Sequence, residues 1–330
     1  MSTGSAVGGI RAEPGTSASG RLKLLRLPDG TDLESLIIVF RGVREGPRLY
    51  IGAATHGDEA NGVEICRRLA ETLDPKKLTG SVMIVPVHNP VAFRLRQRIN
   101  PIDHTDLNRV FPGRENGSAT EMLAYRLHRE IVAQASFIID LHSAAVGGRY
   151  CGPVLFVPDT GNHAGRESLR LAEIFGGDVI IHTKLGKEYE GYLLDRTLTM
   201  VTAVNGIPGL CAELGVASIL DEEYIKIGLK GIENVMKSLG MIEGRPETSS
   251  RNLVCNELVA VRSRSGGLLH VKIKAGAELK RDELLAQVYS PLNRVEDITA
   301  PVDGIAVRVQ TAAVCLPGDR IVCLGRTEQK

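Results

Sequence analysis

Short runs of aliphatic and β-branched residues recur along most of this 330-residue chain, each separated from the next by an amphipathic stretch. From about residue 34 they read SLIIVF, RLYIGAAT, SVMIVPV, SFIIDLHS, GPVLFVP, DVIIHT and GLCAELG. A strand that is apolar at consecutive positions must be covered on both faces, the condition of a mostly parallel sheet with helices above and below. The intervening segments supply those helices. EANGVEICRRLAETL carries Val63, Ile65, Cys66, Leu69 and Ala70 on one stripe and stops near Asp74-Pro75. ATEMLAYRLHREIVAQ has the same period, and further helices are expected around 164–175, 192–204 and 220–239. The pattern predicts an α/β fold: a mixed, mostly parallel sheet sandwiched by helices.

The pattern changes near residue 244. RPETSSRN reads as a linker, and the chain beyond it shows short strand-like runs broken by SGG, KAG, SPLN and PVDG turns. A small all-β, barrel-sandwich-like domain is expected over 250–330, after a larger domain over 21–243. Residues 1–20, rich in Gly, Ser and Ala, are expected to be disordered and lack the apolar core of a secretory signal. No apolar run reaches the length of a transmembrane helix. Cys66, Cys151, Cys211, Cys255, Cys315 and Cys323 have no C-x-x-C spacing, and several lie inside apolar runs. They imply no disulfide framework, so the expected location is the cytoplasm. Lys and Arg number 40 against 39 Asp and Glu, a balance that argues against nucleic acid as a partner.

Thr55-His56-Gly57-Asp58-Glu59 closes the run RLYIGAAT. Open α/β sheets bind ligands beyond the carboxyl ends of their strands. An imidazole and a carboxylate three residues apart, on a turn entering a helix, can address one point. Such donors suit zinc, and His142, closing the buried run IIDLHS, supplies a third ligand while leaving a coordination position open. A helix start alone would also explain His-x-x-Glu; two strand-end histidines with a carboxylate favour the metal. Asp140, on the same strand face as His142, either reaches the rim of the site or supports a ligand from behind.

Asp106-Leu107-Asn108-Arg109-Val110-Phe111-Pro112-Gly113 reads as a loop. Within it Arg109 would clamp a substrate carboxylate through paired N–H donors, with Asn108 adding a neutral donor. Arg94, Arg96 and Arg98 extend this loop into an anion-binding wall; the alternative is a solvated basic loop. Glu213 ends GLCAELG, where a carboxylate is costly unless it faces a crevice or a cation. There it would take a proton from a metal-activated water and pass it to a leaving nitrogen, or else simply pair with a nearby Lys or Arg.

Taken in order, His56-Gly57-Asp58-Glu59, Asp106-Leu107-Asn108-Arg109, Asp140-Leu141-His142 and Ala212-Glu213-Leu214-Gly215 resemble the motifs of the succinylglutamate desuccinylase and aspartoacylase family. That family belongs to the zinc carboxypeptidase-like superfamily, and the resemblance covers about residues 34 to 325. It implies a zinc carboxypeptidase-like catalytic domain over 21–243. It also implies one Zn2+ per chain on His56, Glu59 and His142, with Glu213 as general base and Asn108 with Arg109 on the substrate carboxylate. Arg98, or else Arg96, would polarise the scissile carbonyl. The implied activity is hydrolysis of the amide bond of a small N-acyl amino acid, releasing a carboxylic acid and an amino acid. Expected partners are that small molecule and further copies of the chain, with neither nucleic acid nor membrane. The C-terminal region is similar both to the family's β-rich domain and to biotinyl or lipoyl carriers. A carrier needs a lysine at a hairpin tip, and Tyr289–Arg294 has none; shaping the pocket or supporting oligomers is the expected role. Two other functions compete: a metallocarboxypeptidase acting on short peptides, and a non-catalytic zinc- or ligand-binding homologue.

Overall fold

In the computed structural model, which describes residues 6–189, 191–247 and 252–326, the apolar runs become strands of one mixed sheet. The chain begins with β1 (Thr16–Arg26), β2 (Asp32–Arg41), β3 (Arg44–Ala53), α1 (Asn61–Thr72), β4 (Thr79–Val85), α2 (Pro90–Leu95), α3 (Ala119–Glu130) and β5 (Phe137–Ala144). It continues through β6 (Gly148–Tyr150), β7 (Val154–Asp159), α4 (His163–Phe175), β8 (Val179–Lys184), β9 (Glu188–Tyr189) and β10 (Tyr192–Leu193). Then come α5 (Leu198–Val204), β11 (Gly209–Val216), α6 (Glu222–Ser238), β12 (Leu253–Cys255), β13 (Glu257–Arg262) and β14 (Gly267–Val271). The last strands are β15 (Glu278–Leu279), β16 (Leu284–Tyr289), β17 (Arg294–Thr299), β18 (Gly304–Gln310), β19 (Val314–Cys315) and β20 (Arg320–Arg326).

The large sheet has nine strands in the order β1-β2-β4-β3-β5-β11-β7-β8-β12. Its central neighbours β3, β5 and β11 run parallel, so their carboxyl ends open at the same edge. Every residue of β5 is buried, and successive side chains go to opposite faces. Phe137, Ile139 and Leu141 meet α1, α4 and α6 on one face, while Ile138 joins Leu123, Leu127 and Leu198 of α3 and α5 on the other. Ser118 and Glu121 form a reciprocal capping box at the start of α3, as the S-x-x-E spacing dictates. No helix among the described residues is long and apolar enough to cross a membrane.

Three expectations change. Within residues 1–20, of which 1–5 lie outside the described residues, Thr16 begins the edge strand β1 instead of a disordered tail. Its ladder to β2 runs from Thr16 opposite Arg41 to Arg26 opposite Asp32. Backbone pairing tolerates a Ser- and Ala-rich start because Leu22 and Leu24 bury the other end. The helix expected at 192–204 shortens to Leu198–Val204, because the Thr197 hydroxyl caps it by accepting from the Met200 N–H. Ahead of it, Tyr192 and Leu193 pair with Tyr189 and Glu188 as a hairpin.

The third change concerns the boundary, since the two parts are stitched together. Residues 248–251 of the expected linker lie outside the described residues. Beyond them β12 joins the large sheet beside β8, while β6 of the larger domain joins β18 of the C-terminal module. Ala144, Tyr150, Val179, Leu258 and Val307 pack into one cluster across this seam.

Candidate metal and substrate site

The turn after β3 is tightly built. Ala54 adopts a left-handed backbone (φ 48°), which reverses the chain as it leaves the sheet. Gly57 comes next with its backbone pressed on α2: a Cβ there would lie 2.0 Å from the Ala92 carbonyl carbon, so a side chain is excluded. This geometry turns His56 and Glu59 back over the carboxyl ends of β5 and β11. On those strands His142 and Glu213 are direct partners in the parallel register.

Four of the expected residues converge. Nδ1 of His56 lies 2.7 Å from Oε1 of Glu59, and Nδ1 of His142 lies 2.9 Å from its Oε2. The Ser143 N–H donates to the same Oε2 at 3.1 Å. One donor atom from each of His56, Glu59 and His142 lies within 4.8 Å of the others, and all three side chains are buried. The outward nitrogens are also held, His56 Nε2 at 3.1 Å from Asp106 Oδ1 and His142 Nε2 at 3.0 Å from Asp140 Oδ2. Those carboxylates favour a proton on each Nε2, so that each Nδ1, beside Glu59, is the nitrogen an ion would take in place of a proton. Asp140 therefore supports His142 from behind, resolving the two roles left open for it.

The charges favour a cation at this point. Burial alone would raise the Glu59 carboxyl, but the imidazoles of His56 and His142 hold it well below the usual carboxylate range. Burial likewise works against protonation of His142, yet Asp140 and Glu59 keep its imidazole well above its ordinary value. His56 is raised against burial by Glu59 and Asp106. Such a field holds protons on imidazoles that a divalent cation would displace, so this donor set fits zinc.

The chain matches the model of the succinylglutamate desuccinylase/aspartoacylase catalytic domain over residues 45–239. The protein belongs to this family. An N-alpha-acetyl-L-2,4-diaminobutyric acid deacetylase of Halomonas elongata is 29% identical over 272 residues, covering 79% of this chain and 75% of its own. A solved succinylglutamate desuccinylase/aspartoacylase from Rhodobacter sphaeroides superposes with a TM-score of 0.83 at 25% identity, covering 95% of this chain and 96% of that one. The product-bound ectoine utilization protein EutE (DoeB) of Ruegeria pomeroyi shares the fold, with a TM-score of 0.86 at 24% identity over 96% of this chain and 97% of its own.

In this family member a cavity of about 560 Å³ opens over the triad and takes in Arg98, Asn108, Arg109 and Glu213. Asp106 caps the single turn Leu107–Arg109 by accepting from the Asn108 N–H at 2.8 Å. The Asn108 side-chain oxygen accepts from the Leu198 N–H at 3.0 Å, which turns its amide NH2 toward the site. Arg109 donates to the Asn108 carbonyl at 2.8 Å and lies over the Tyr192 ring, 5.7 Å from its centre. Of the two candidates for carbonyl polarisation, Arg98 lines the cavity, 3.3 Å from Glu59 and 3.7 Å from Asp106. Arg96 ends α2 in a left-handed conformation and is exposed, as is Arg94. The expected wall of three arginines therefore reduces to Arg98, because the short α2 points its neighbours at solvent.

Glu213 faces this cavity with a buried Oε2 that has no hydrogen-bond partner. Burial, with the Glu59 charge behind it, pushes its carboxyl up to about 7. Four contributors had no role assigned from the sequence. Asp106 is one, an acid opening a one-turn helix, which is a capping signature. His88 ends SVMIVPVH by the same strand-end logic that selected His142. It is fully buried, with Nε2 2.5 Å from the Tyr50 hydroxyl and Nδ1 2.7 Å from the Thr55 hydroxyl, and burial lowers it to about 4. Arg308 and Arg320, distant in sequence, enter the same cavity from the C-terminal module.

Proposed function

We propose that this chain is a zinc-dependent deacylase that hydrolyses the amide bond of a small N-acyl amino acid. The observation that carries the reading is the convergence of two imidazole Nδ1 atoms on the two oxygens of Glu59, beside a carboxylate at Glu213 with an unpaired oxygen. His56, Glu59 and His142 would hold the ion. When bound, zinc supplies Lewis-acid chemistry, lowering the pKa of water and polarising a carbonyl.

The chain's own groups do the rest. Arg109, with Asn108, receives the α-carboxylate of the amino acid and so orients the scissile amide. Glu213 accepts the proton of the attacking water as its oxygen bonds to the amide carbon. Arg98 donates to the oxygen on which negative charge develops. Glu213 then delivers its proton to the nitrogen as the C–N bond breaks, leaving a carboxylate and a free amino acid. A carboxyl lifted to about 7 suits that alternation of base and acid, since it exchanges a proton near neutral pH. The relative named as an N-alpha-acetyl-diaminobutyrate deacetylase supports this reaction class. Arg308 and Arg320 line the cavity from the C-terminal module, and a module packed against the site favours a small amide over a peptide chain.

Metal analysis combined with hydrolysis tests the reading. The purified chain should carry one zinc and release acid from a panel of N-acetyl and N-succinyl amino acids, and His142→Ala should lose the metal. A full zinc complement in His142→Ala would remove that ligand. Faster cleavage of C-terminal peptide bonds than of N-acyl amino acids would favour a carboxypeptidase, and bound zinc without hydrolysis a binding protein.

A further inference from the structure

Behind the triad lies a run of buried polar groups that ends at Asp140. It crosses neighbouring strands, from Tyr50 on β3 through His88 just past β4 and Thr55 just past β3 to Asp140 on β5. None of the four is more than 1% exposed, and none lines the cavity. The His88 imidazole stands between two hydroxyls, with Nε2 2.5 Å from Tyr50 and Nδ1 2.7 Å from Thr55. The Thr55 hydroxyl reaches Asp140 Oδ1 at 3.5 Å, and Oδ2 of the same carboxylate lies 3.0 Å from His142 Nε2. The backbone is shaped for this run. The N–H groups of His88 and Asn89 donate to the carbonyls of Ala53 and Ala54 at 2.9 and 3.1 Å, tying the end of β4 to the turn that carries Thr55 and His56. Gly52 leaves the space the run needs, since a Cβ there would stand 2.1 Å from His88 Nε2 and 2.9 Å from the Tyr50 hydroxyl.

The donors and acceptors of this run admit one order. A buried phenol O–H needs an acceptor, and His88 Nε2 is the one that the described residues offer to Tyr50. Burial lowers the His88 imidazole to about 4, so near neutral pH the ring carries a single proton. With Nε2 accepting, that proton sits on Nδ1 and is donated to the Thr55 oxygen. The Thr55 hydrogen is then left for Asp140, whose carboxylate can only accept. A carboxylate held by one oxygen can still rotate. Here His142 holds Oδ2 and Thr55 holds Oδ1, so the plane of Asp140 is fixed and the His142 ring with it.

We propose that Tyr50, His88 and Thr55 form a hydrogen-bond chain of fixed direction that positions Asp140, and through it sets how tightly His142 holds an ion. They are positioning residues, and no proton is transferred along the chain. His88 is its pivot, because its one ring proton decides which way the Thr55 hydroxyl points. The assignment rests on the zinc reading of the triad and deepens it.

Two readouts on the full chain test it. The first is the tautomer of His88, read from the nitrogen chemical shifts of isotope-labelled histidine and assigned by the signal lost in His88→Gln. The wild type should carry the proton on Nδ1. Tyr50→Phe removes the donor to Nε2, and the proton should move at least partly to that nitrogen. The second readout is zinc affinity, measured by competition with a chromogenic chelator. Thr55→Val keeps the side-chain shape without the hydroxyl and should bind zinc about 10-fold more weakly, the lower end for a group that orients a ligand. Thr55→Ser, which restores the hydroxyl, should bind close to wild type, and Tyr50→Phe should fall between Thr55→Val and wild type. A proton on Nε2 of wild-type His88, wild-type affinity in folded Thr55→Val, or Thr55→Ser as weak as Thr55→Val would overturn the proposal. Melting curves identify a variant that fails to fold; should Thr55→Val be one, Tyr50→Phe takes its place, and unchanged zinc affinity there overturns the proposal too. If the wild type binds no zinc, the zinc reading fails by itself. The His88 tautomer in the metal-free chain then judges the direction of the hydrogen bonds, and a proton on Nε2 refutes it.

Discussion

Glu213 and Asp106 are both carboxylates at the rim of one cavity, yet their surroundings give them opposite character. Glu213, buried beside the charge of Glu59, is pushed up to about 7. Asp106 is held far below the carboxylate range because, against burial, the His56 imidazole and Arg98 stabilise its charge. The first can exchange protons near neutrality, and the second is a fixed anion. Glu213→Ala should accordingly keep its zinc and lose turnover by a factor of about 10² or more, the scale of a general acid–base group; near-normal kcat would remove it from the proton-transfer role. Asp106→Asn should weaken zinc binding by about 10- to 100-fold, since an amide no longer fixes the His56 tautomer. Competition with a chromogenic chelator reads that affinity, and an unchanged value would show that His56 is oriented without Asp106.

At the scale of elements, the site depends on which strand ends adjoin. His56 lies just past β3, His142 on β5 and Glu213 on β11, three neighbours running in one direction. Apolar runs identified these strands, but their order in the sheet is invisible in any one of them because it depends on long-range pairing. The C-terminal module has a comparable organising residue in Glu296 on β17. It accepts from the Ser265 N–H at 2.8 Å, the Arg264 N–H at 3.0 Å and the Ser263 hydroxyl at 3.0 Å. Burial would raise its carboxyl, but these donors, the backbone N–H of Arg264 foremost, hold it below the usual range. A carboxylate depressed on folding stabilises above its unfolded value, about 4.3, and that contribution disappears as pH falls through the folded value. Glu296→Gln should lower stability at pH 7 by about 1–2 kcal/mol and lower it less at pH 3.5. Urea melts at the two pH values check this, and equal losses at both would show that the charge is immaterial.

For the molecule as a whole, the catalytic domain and the β module act as one unit. β6 and β12 cross between them, and the cluster containing Tyr150, Leu258 and Val307 seals the seam. Because zinc would bind only the assembled triad, chelation should lower the melting temperature by at least about 3 °C, reversed by adding zinc back; no shift on chelation would mean that the triad does not hold metal. Expectations drawn from residues alone succeeded where chemistry is local. Strand-end histidines, an acid three residues on and a buried strand-end glutamate pointed to the triad and Glu213, because each motif places its own side chain relative to its own backbone. They failed for β1, a Gly- and Ser-rich start held by its pairing with β2, and for two local details, the solvent-facing Arg94 and Arg96 on a short α2 and the α5 shortened by the Thr197 cap. Sequence by itself determined the layered α/β fold and the β-rich end, and it singled out His56, Glu59 and His142, which the structure brings together. Tertiary structure alone decided that Asp106 braces the His56 imidazole and that Arg308 reaches a cavity from another module. Those contacts join residues far apart in the chain, and only the packed sheet order and the sealed seam bring them within hydrogen-bond distance or into one cavity.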